Sequence, residues 1–157
     1  MSDLSCGLYK TTVELVRDGE VAVAEGLLVR FHNHSDEGPP IVLLPDQNTN
    51  NKWTFGPKGF LIHEDDYTDT LVALKAEGLY RAREHFHPAS DQVVAKDALV
   101  QLGYNRNAES ILFFPRSHES ENSLVFPTTG TKVNEKIYEL LEPINLRGPY
   151  VPQARLH

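Results

Sequence analysis

A His-x-His pair followed by a carboxylate is the pattern in this sequence that could carry metal chemistry. His32 and His34 are two residues apart, Glu37 follows them, and His63 comes directly after another predicted strand. Side chains two apart on a strand point to the same face, so one ion could contact both imidazoles. Neutral imidazole together with carboxylate suits Fe, Mn, Ni or Zn. These four residues are therefore candidate ligands of one divalent transition metal, and the alternative is that the histidines lie in surface loops.

A second His-x-His pair, His85 and His87, lies near the end of a predicted strand in the other half of the chain. Two such pairs could converge on one ion if the fold brings their strands together. The sequence leaves open whether they meet.

The spacing around the first pair resembles the two metal-binding motifs of cupin barrels. Cupins carry a glycine, five residues, His-x-His and then a glutamate, followed by Pro-x-Gly and another histidine; the similar positions here are Gly26, His32, His34 and Glu37, then Pro57, Gly59 and His63. The glutamate and the last histidine each differ by one residue from the cupin spacing. The resemblance covers residues 26–63 and implies a cupin-like metal-dependent enzyme or metal-binding protein.

Other patterns that would indicate catalysis or phosphate binding are missing from the sequence. No serine lies in a nucleophile-elbow motif, and the residues 56–59 predict a turn whose proline has no N–H for an anion. A single cysteine, Cys6, leaves no disulfide framework and no thiolate metal cluster. The chain therefore favours a non-catalytic function, with enzymatic activity left open.

The sequence matches itself when it is shifted by 71 residues, which indicates a duplicated unit. One deletion near position 40 extends the alignment, and the matched pairs include Gly7/Gly78, Tyr9/Tyr80, Leu28/Leu99, Asn51/Asn122, Gly59/Gly130, Tyr67/Tyr138 and Pro45/Pro115. We therefore predict an N-terminal tail at 1–6, one unit at 7–77, a second at 78–149, and a C-terminal tail at 150–157 that could add a closing strand.

Each unit is predicted to contain four or five short strands and one short helix, because β-branched and aromatic residues dominate the apolar runs. Acidic residues at 64–66 predict a helix that continues through Leu71 and Leu74, and a second helix starts at Asn134 or Glu135. Residues 46–51 predict a loop, and Gly59 is expected at positive φ in a turn. The predicted fold class is mainly β with two short helices, as tandem SH3-like small β-barrels packed in a pseudo-two-fold pair.

Residues present in only one copy are better candidates for function than residues kept in both. Trp53 aligns with Leu124 and is a large aromatic that suits either a binding groove or the core. Trp53 and the two loop residues Asp46 and Asn51 form the candidate ligand-binding set. The loops 32–40 and 117–123, or the junction between the two units, are further expected binding regions.

The charge distribution limits the kinds of partner that the chain is expected to bind. The net charge is −7, and the first unit holds 6 Lys/Arg against 12 Asp/Glu, whereas the second holds 8 against 9. An acidic chain repels phosphate backbones, so nucleic acid is not an expected partner. No apolar run reaches the roughly 18 residues of a membrane span, and the N-terminus has no signal-peptide pattern. We expect a cytoplasmic module that binds a protein or peptide, with a basic surface favoured and the oligomeric state open.

Overall fold

The computed structural model describes residues 4–144, which form short strands joined by turns and three short helices. The strands of the first half are β1 (Gly7–Lys10), β2 (Leu15–Arg17), β3 (Glu20–Val23), β4 (Leu28–His32), β5 (Ile41–Thr49), β6 (Lys52–Leu61) and β7 (Val72–Ala73). Those of the second half are β8 (Gly78–Ala82), β9 (Leu99–Tyr104), β10 (Ser110–Phe113), β11 (Arg116–His118), β12 (Ser123–Val125), β13 (Thr131–Val133) and β14 (Leu141–Pro143). The helices are α1 (Asp65–Thr68) and the 3₁₀ turns Glu119–Glu121 and Glu135–Leu140.

Two five-stranded antiparallel sheets share one topology. The first sheet has the order β6-β5-β4-β1-β7, and the second has the order β13-β10-β9-β8-β14. The pairing registers also correspond: Tyr9 lies opposite Val29 in the first sheet, and Tyr80 lies opposite Val100 in the second, an offset of 71 residues on both strands. This confirms the mainly β class, while the division into domains at 77/78 and the pseudo-two-fold arrangement stay predictions.

The SH3-like barrel prediction is not supported, because no sheet of the described residues closes into a barrel. Closure would require the edge strands β6 and β7, or β13 and β14, to pair with each other. β7 has two residues, β13 and β14 have three each, and the outer part of β6 pairs with β5 instead of bending back. The closing strand predicted at 150–157 lies outside the described residues.

The first sheet packs against apolar residues on both of its faces. Successive side chains of a strand point to opposite faces, so neighbouring residues enter different clusters. Tyr9, Val29 and Phe31 enter a cluster beneath the first sheet. Leu8 and Leu28, one residue away on the same strands, enter the cluster of the second half instead. The apolar core of the second half therefore includes residues of the first sheet.

The β5–β6 hairpin forms a long arm where the sequence predicts a loop and a turn. Pro45 does not end β5, and residues 56–59 lie within a continuous β6; the pairing shows irregularities on both sides of Pro45. A proline is compatible with a strand at such a bulge, and an edge strand such as β6 tolerates the missing N–H of Pro57. We call residues 45–56 the first arm. Its counterpart, residues 116–125 with β11 and β12, is called the second arm.

Two local predictions need correction. The first helix ends at Thr68, before Leu71 and Leu74, and the hydroxyl of Thr68 donates to the carbonyl of Asp65 at 2.8 Å, a bond that competes with helix propagation. Gly59 does not have positive φ; a Cβ there would lie 2.5 Å from the side chain of Leu43, so a larger residue would displace that side chain. None of the described helices is long and apolar enough to cross a membrane.

Candidate functional site

The first arm reaches across to the second sheet through Asn51. This side chain is 5% exposed, and its amide donates hydrogen bonds of 2.9 Å to the side-chain oxygen of Gln101 and to the carbonyl of Pro127. Gln101 in turn donates to the carbonyl of Asn50 at 2.9 Å. Asn50 and Asn51 both have positive φ, as the tight turn between β5 and β6 requires. The tip of the arm is therefore fixed to the second sheet.

Gly103 provides the space in which this tip lies. A Cβ at this position would be 2.9 Å from the carbonyl oxygen of Asn51 and 3.0 Å from the ring of Phe113. The corresponding position of the first sheet is His32, 71 residues earlier. The position that admits the tip of the first arm thus has no side chain on the second sheet, whereas the equivalent position on the first sheet carries an imidazole.

Trp53 and Arg106 form the second contact between the arm and the second sheet. The indole N–H donates to the carbonyl of Tyr104 at 2.7 Å, and the guanidinium of Arg106 lies 4.7 Å from the centre of the indole ring. Arg106 also donates to the carbonyls of Pro45 and Asp46 at 2.9 and 3.2 Å. A guanidinium stacked on an aromatic face is favourable, by about 0.5–1 kcal/mol at exposed sites.

The turn between β9 and β10 holds Arg106 in place. The side-chain oxygen of Asn105 accepts hydrogen bonds from the backbone N–H groups of Asn107 and Glu109, both at 3.0 Å, which is an Asx-type turn. The carbonyl of Arg106 accepts a 2.8 Å hydrogen bond from the N–H of Leu28 in the first sheet. Backbone and side chain of Arg106 therefore both join the two halves.

A cavity of about 540 Å³ opens beside this contact, and we call it the first groove. Its lining comes from the start of β4, from β5 and β6, and from Arg106, and comprises Leu27, Leu28, Leu44, Pro45, Asp46, Gly56, Pro57 and Arg106. The volume lies within the range of ligand sites, and a mainly apolar wall with a few polar groups is typical of them. Asp46 is exposed, so its carboxylate supplies a negative charge at the groove.

Glu77 connects the first arm to the segment that joins the two sheets. One of its carboxylate oxygens accepts the backbone N–H of Trp53 at 3.1 Å, and the other is buried without a hydrogen-bond partner among the described residues. Burial raises the pKa of Glu77, and the Trp53 hydrogen bond and the charges of Arg30 and Lys52 oppose that rise. The contact between the first arm and the connecting segment therefore contains a carboxyl group with a raised pKa.

Hydroxyl groups of two tyrosines fix the same connecting segment. Tyr104 donates to the carbonyl of Lys75 and Tyr80 to that of Ala76, each at 2.5 Å. Burial, and then the hydrogen bond with Tyr138, raise the pKa of Tyr104. In the first sheet, Tyr9 likewise donates to the carbonyl four residues before it, that of Ser5, at 2.7 Å. These hydroxyls have a structural use, which distinguishes them from free acid–base groups.

The structure does not bring the predicted metal ligands together. His32 ends β4 and is half-buried, His34, Glu37 and His63 are exposed, and the described residues contain no group of three or more His, Cys, Asp or Glu side chains placed to hold an ion. The imidazole of His34 is 2.8 Å from the side-chain oxygen of Asn33. The rings of the other pair, His85 and His87, lie 6.3 Å apart at the surface. The arrangement gives the cupin-like metal site no support.

Of the predicted ligand-binding residues, Asp46 lines the first groove, whereas Asn51 and Trp53 hold the arm against the second sheet. Sequence reasoning missed Arg106 and Glu77. Arg106 carried a usable signal, because it aligns with Ser35 and is thus a charged residue present in one copy only. Glu77 carried no comparable signal, since its role depends on contact with Trp53, which is distant in the sequence.

Comparison with protein-family models, with curated proteins and with solved structures finds no match for this chain.

Proposed function

We propose that the protein is a non-catalytic binding module that recognises an apolar and basic segment of a protein partner in the first groove. The observation that carries the proposal is the composition of that groove, in which Leu27, Leu44 and Pro57 form apolar walls beside the exposed carboxylate of Asp46. The other charged lining residue, Arg106, is engaged by the Trp53 ring and by two backbone carbonyls of the first arm. Charge complementarity favours Lys or Arg in the partner, since the first unit holds twice as many acidic as basic residues.

Side-chain contacts, rather than addition of a strand, are the expected mode of recognition. β6 is an edge strand of the first sheet, yet it presents Pro57 at the groove, and proline has no backbone N–H to donate to an added strand. An apolar side chain of the partner would fill the groove, and a neighbouring Lys or Arg would pair with Asp46. The same strand order and register in the two sheets support the view that the module is a duplicated unit.

Trp53 can serve as an intrinsic fluorescence probe of peptide binding in the first groove. Trp53 is the single tryptophan, and the guanidinium that covers its ring belongs to Arg106, which lines the first groove. A peptide that contacts Arg106 is therefore expected to change the indole emission. Peptides of 12 random residues displayed on phage would be selected on the immobilised full chain, and synthetic copies of the selected sequences would be titrated by fluorescence and calorimetry.

The selected peptides should be enriched in Lys or Arg beside Leu, Ile or Phe. Replacing Asp46 by Lys is expected to weaken their binding about three- to tenfold, because an attractive exposed pair of about 0.2–1 kcal/mol becomes a repulsive one. Asp91→Lys, which makes the same charge change at an exposed site of the second half, is the matched control. Equal affinity of both variants, or tight and salt-dependent binding of DNA in place of peptides, would contradict the proposal.

A further inference from the structure

A second groove lies on the second half of the chain at the place equivalent to the first. It has a volume of about 330 Å³ and is lined by Gln92, Phe114, Pro115, Arg116, Pro127, Thr129, Gly130 and Thr131. Four of these align with residues that line the first groove, in the pairs Leu44/Phe114, Pro45/Pro115, Asp46/Arg116 and Gly56/Pro127. The registers agree with this alignment: Val42 lies opposite Phe31, and Leu112 lies opposite Leu102. Both grooves thus lie at the base of an arm, next to the edge strand of a sheet.

Equivalent positions of the two grooves carry opposite charges, although the first groove also contains Arg106. Asp46 contributes a carboxylate to the first groove, and Arg116 contributes a guanidinium at the equivalent position of the second. Arg116 is exposed and forms no ion pair with a carboxylate in the described part of the chain. Its planar guanidinium can hold a carboxylate through two parallel hydrogen bonds. The position is therefore open to an anionic group of a ligand.

Polar and apolar surface beside Arg116 defines the ligand further. Thr131 donates its hydroxyl to the side-chain oxygen of Gln92 at 2.8 Å, which fixes one wall of the second groove. Val125 lies directly opposite Arg116 in the β11–β12 pair and is 50% exposed, so an exposed apolar residue is the cross-strand neighbour of Arg116. A carboxylate next to an apolar side chain would contact both.

We infer that the second groove binds an acidic segment of a protein partner, in which Asp or Glu stands beside an apolar residue. The inference extends the proposed function, and it rests on the same use of a groove at the base of an arm. The two grooves would then recognise segments of opposite charge. Two linked segments of one partner would bind more tightly than either alone, as far as the span between the grooves allows.

The experiment compares two defined peptides on the ¹⁵N-labelled full chain. One is a capped decapeptide of alternating Leu and Glu interrupted by Pro, and the other is its twin with Lys in place of Glu. The acidic peptide should shift the backbone resonances of residues 129–131 and of Arg116. Arg116→Glu should weaken its binding at least fivefold, whereas Lys96→Glu, which changes the charge equally at an exposed site, should alter it less than twofold.

Exchange of the charges gives a second test that does not depend on loss of binding. In the double variant Asp46→Arg/Arg116→Asp, the acidic peptide should move to the first groove and change Trp53 emission, and the basic peptide should move to the second. Shifts confined to residues other than Gln92 and 114–131, or equal binding of the acidic peptide to Arg116→Glu and Lys96→Glu, would overturn the inference. Since the basic peptide reports on the first groove through Trp53, a failure there is recorded separately from a failure at Arg116.

Discussion

Replacing Asn51 by Ala is expected to loosen the first arm from the second sheet. The change removes two donors from a side chain that is 5% exposed, and it leaves the oxygens of Gln101 and Pro127 without that partner. A net hydrogen bond contributes about 0.5–1.5 kcal/mol to stability, so the two together contribute about 1–3 kcal/mol.

Asn122→Ala is the matched control for this variant. Asn122 aligns with Asn51 71 residues later, has positive φ as well (49° against 66°), and is exposed at the tip of the second arm. Both substitutions therefore carry the cost of alanine in the left-handed region, and their difference isolates the hydrogen bonds of Asn51. We expect Asn51→Ala to be less stable than Asn122→Ala by about 2 kcal/mol.

Urea unfolding followed by circular dichroism measures this difference, and Trp53 emission reports on the arm itself. About 2 kcal/mol corresponds to a difference in Tm of roughly 4–8 °C for a chain of this size. The emission of Asn51→Ala should also change before global unfolding, because Trp53 lies on the same arm. Equal stability of the two variants within about 0.5 kcal/mol would refute the reasoning, since the arm would then be held by other contacts.

Two further predictions concern the same junction. Gly103→Ala should lower the free energy of unfolding by about 1–2 kcal/mol, because the new Cβ would lie 2.9 Å from the carbonyl oxygen of Asn51. His32→Ala, at the equivalent position of the first sheet, should change it by less than about 0.5 kcal/mol. Urea unfolding of the two variants measures the difference. Glu77 has a raised pKa in the folded state, so the native chain holds its proton more tightly, and stability should fall as pH rises from about 4.5 through that raised pKa. Glu77→Gln should lack this fall when unfolding free energies are measured between pH 4 and 8, and a parallel pH profile in both proteins would disprove the assignment.

The features that the sequence predicted well are those that both halves repeat. The 71-residue offset appears directly in the strand pairing of Tyr9 and Tyr80. Such features depend on local residue types and on burial that is the same in both units. A single sequence carries that information twice, which strengthens the prediction.

The features that the sequence did not predict depend on contacts between the halves. The sequence predicts a loop at 46–51, but this segment belongs to an arm whose base is held by hydrogen bonds from the guanidinium of Arg106 to the carbonyls of Pro45 and Asp46. The barrel prediction treated each unit as if it buried its own core, yet Leu8 and Leu28 contribute to the core of the other half. Local propensity contains no information about either contact, because the residues involved are far apart in the sequence. Pro45 and Arg106, for example, are 61 residues apart.

One unmatched pair, Gly103 and His32, includes the position on the second sheet where the tip of the first arm lies. The missing side chain at Gly103 admits the tip of the first arm, whereas the equivalent position on the first sheet carries the His32 side chain. The second arm, with Leu124 in place of Trp53, is accordingly left exposed. Because the first arm is committed to the second sheet, the first groove forms next to Arg106, whereas the second groove has no such neighbour and keeps Arg116 open. The same asymmetry thus fixes the first arm against the second sheet and leaves the Arg116 side chain exposed on the second half.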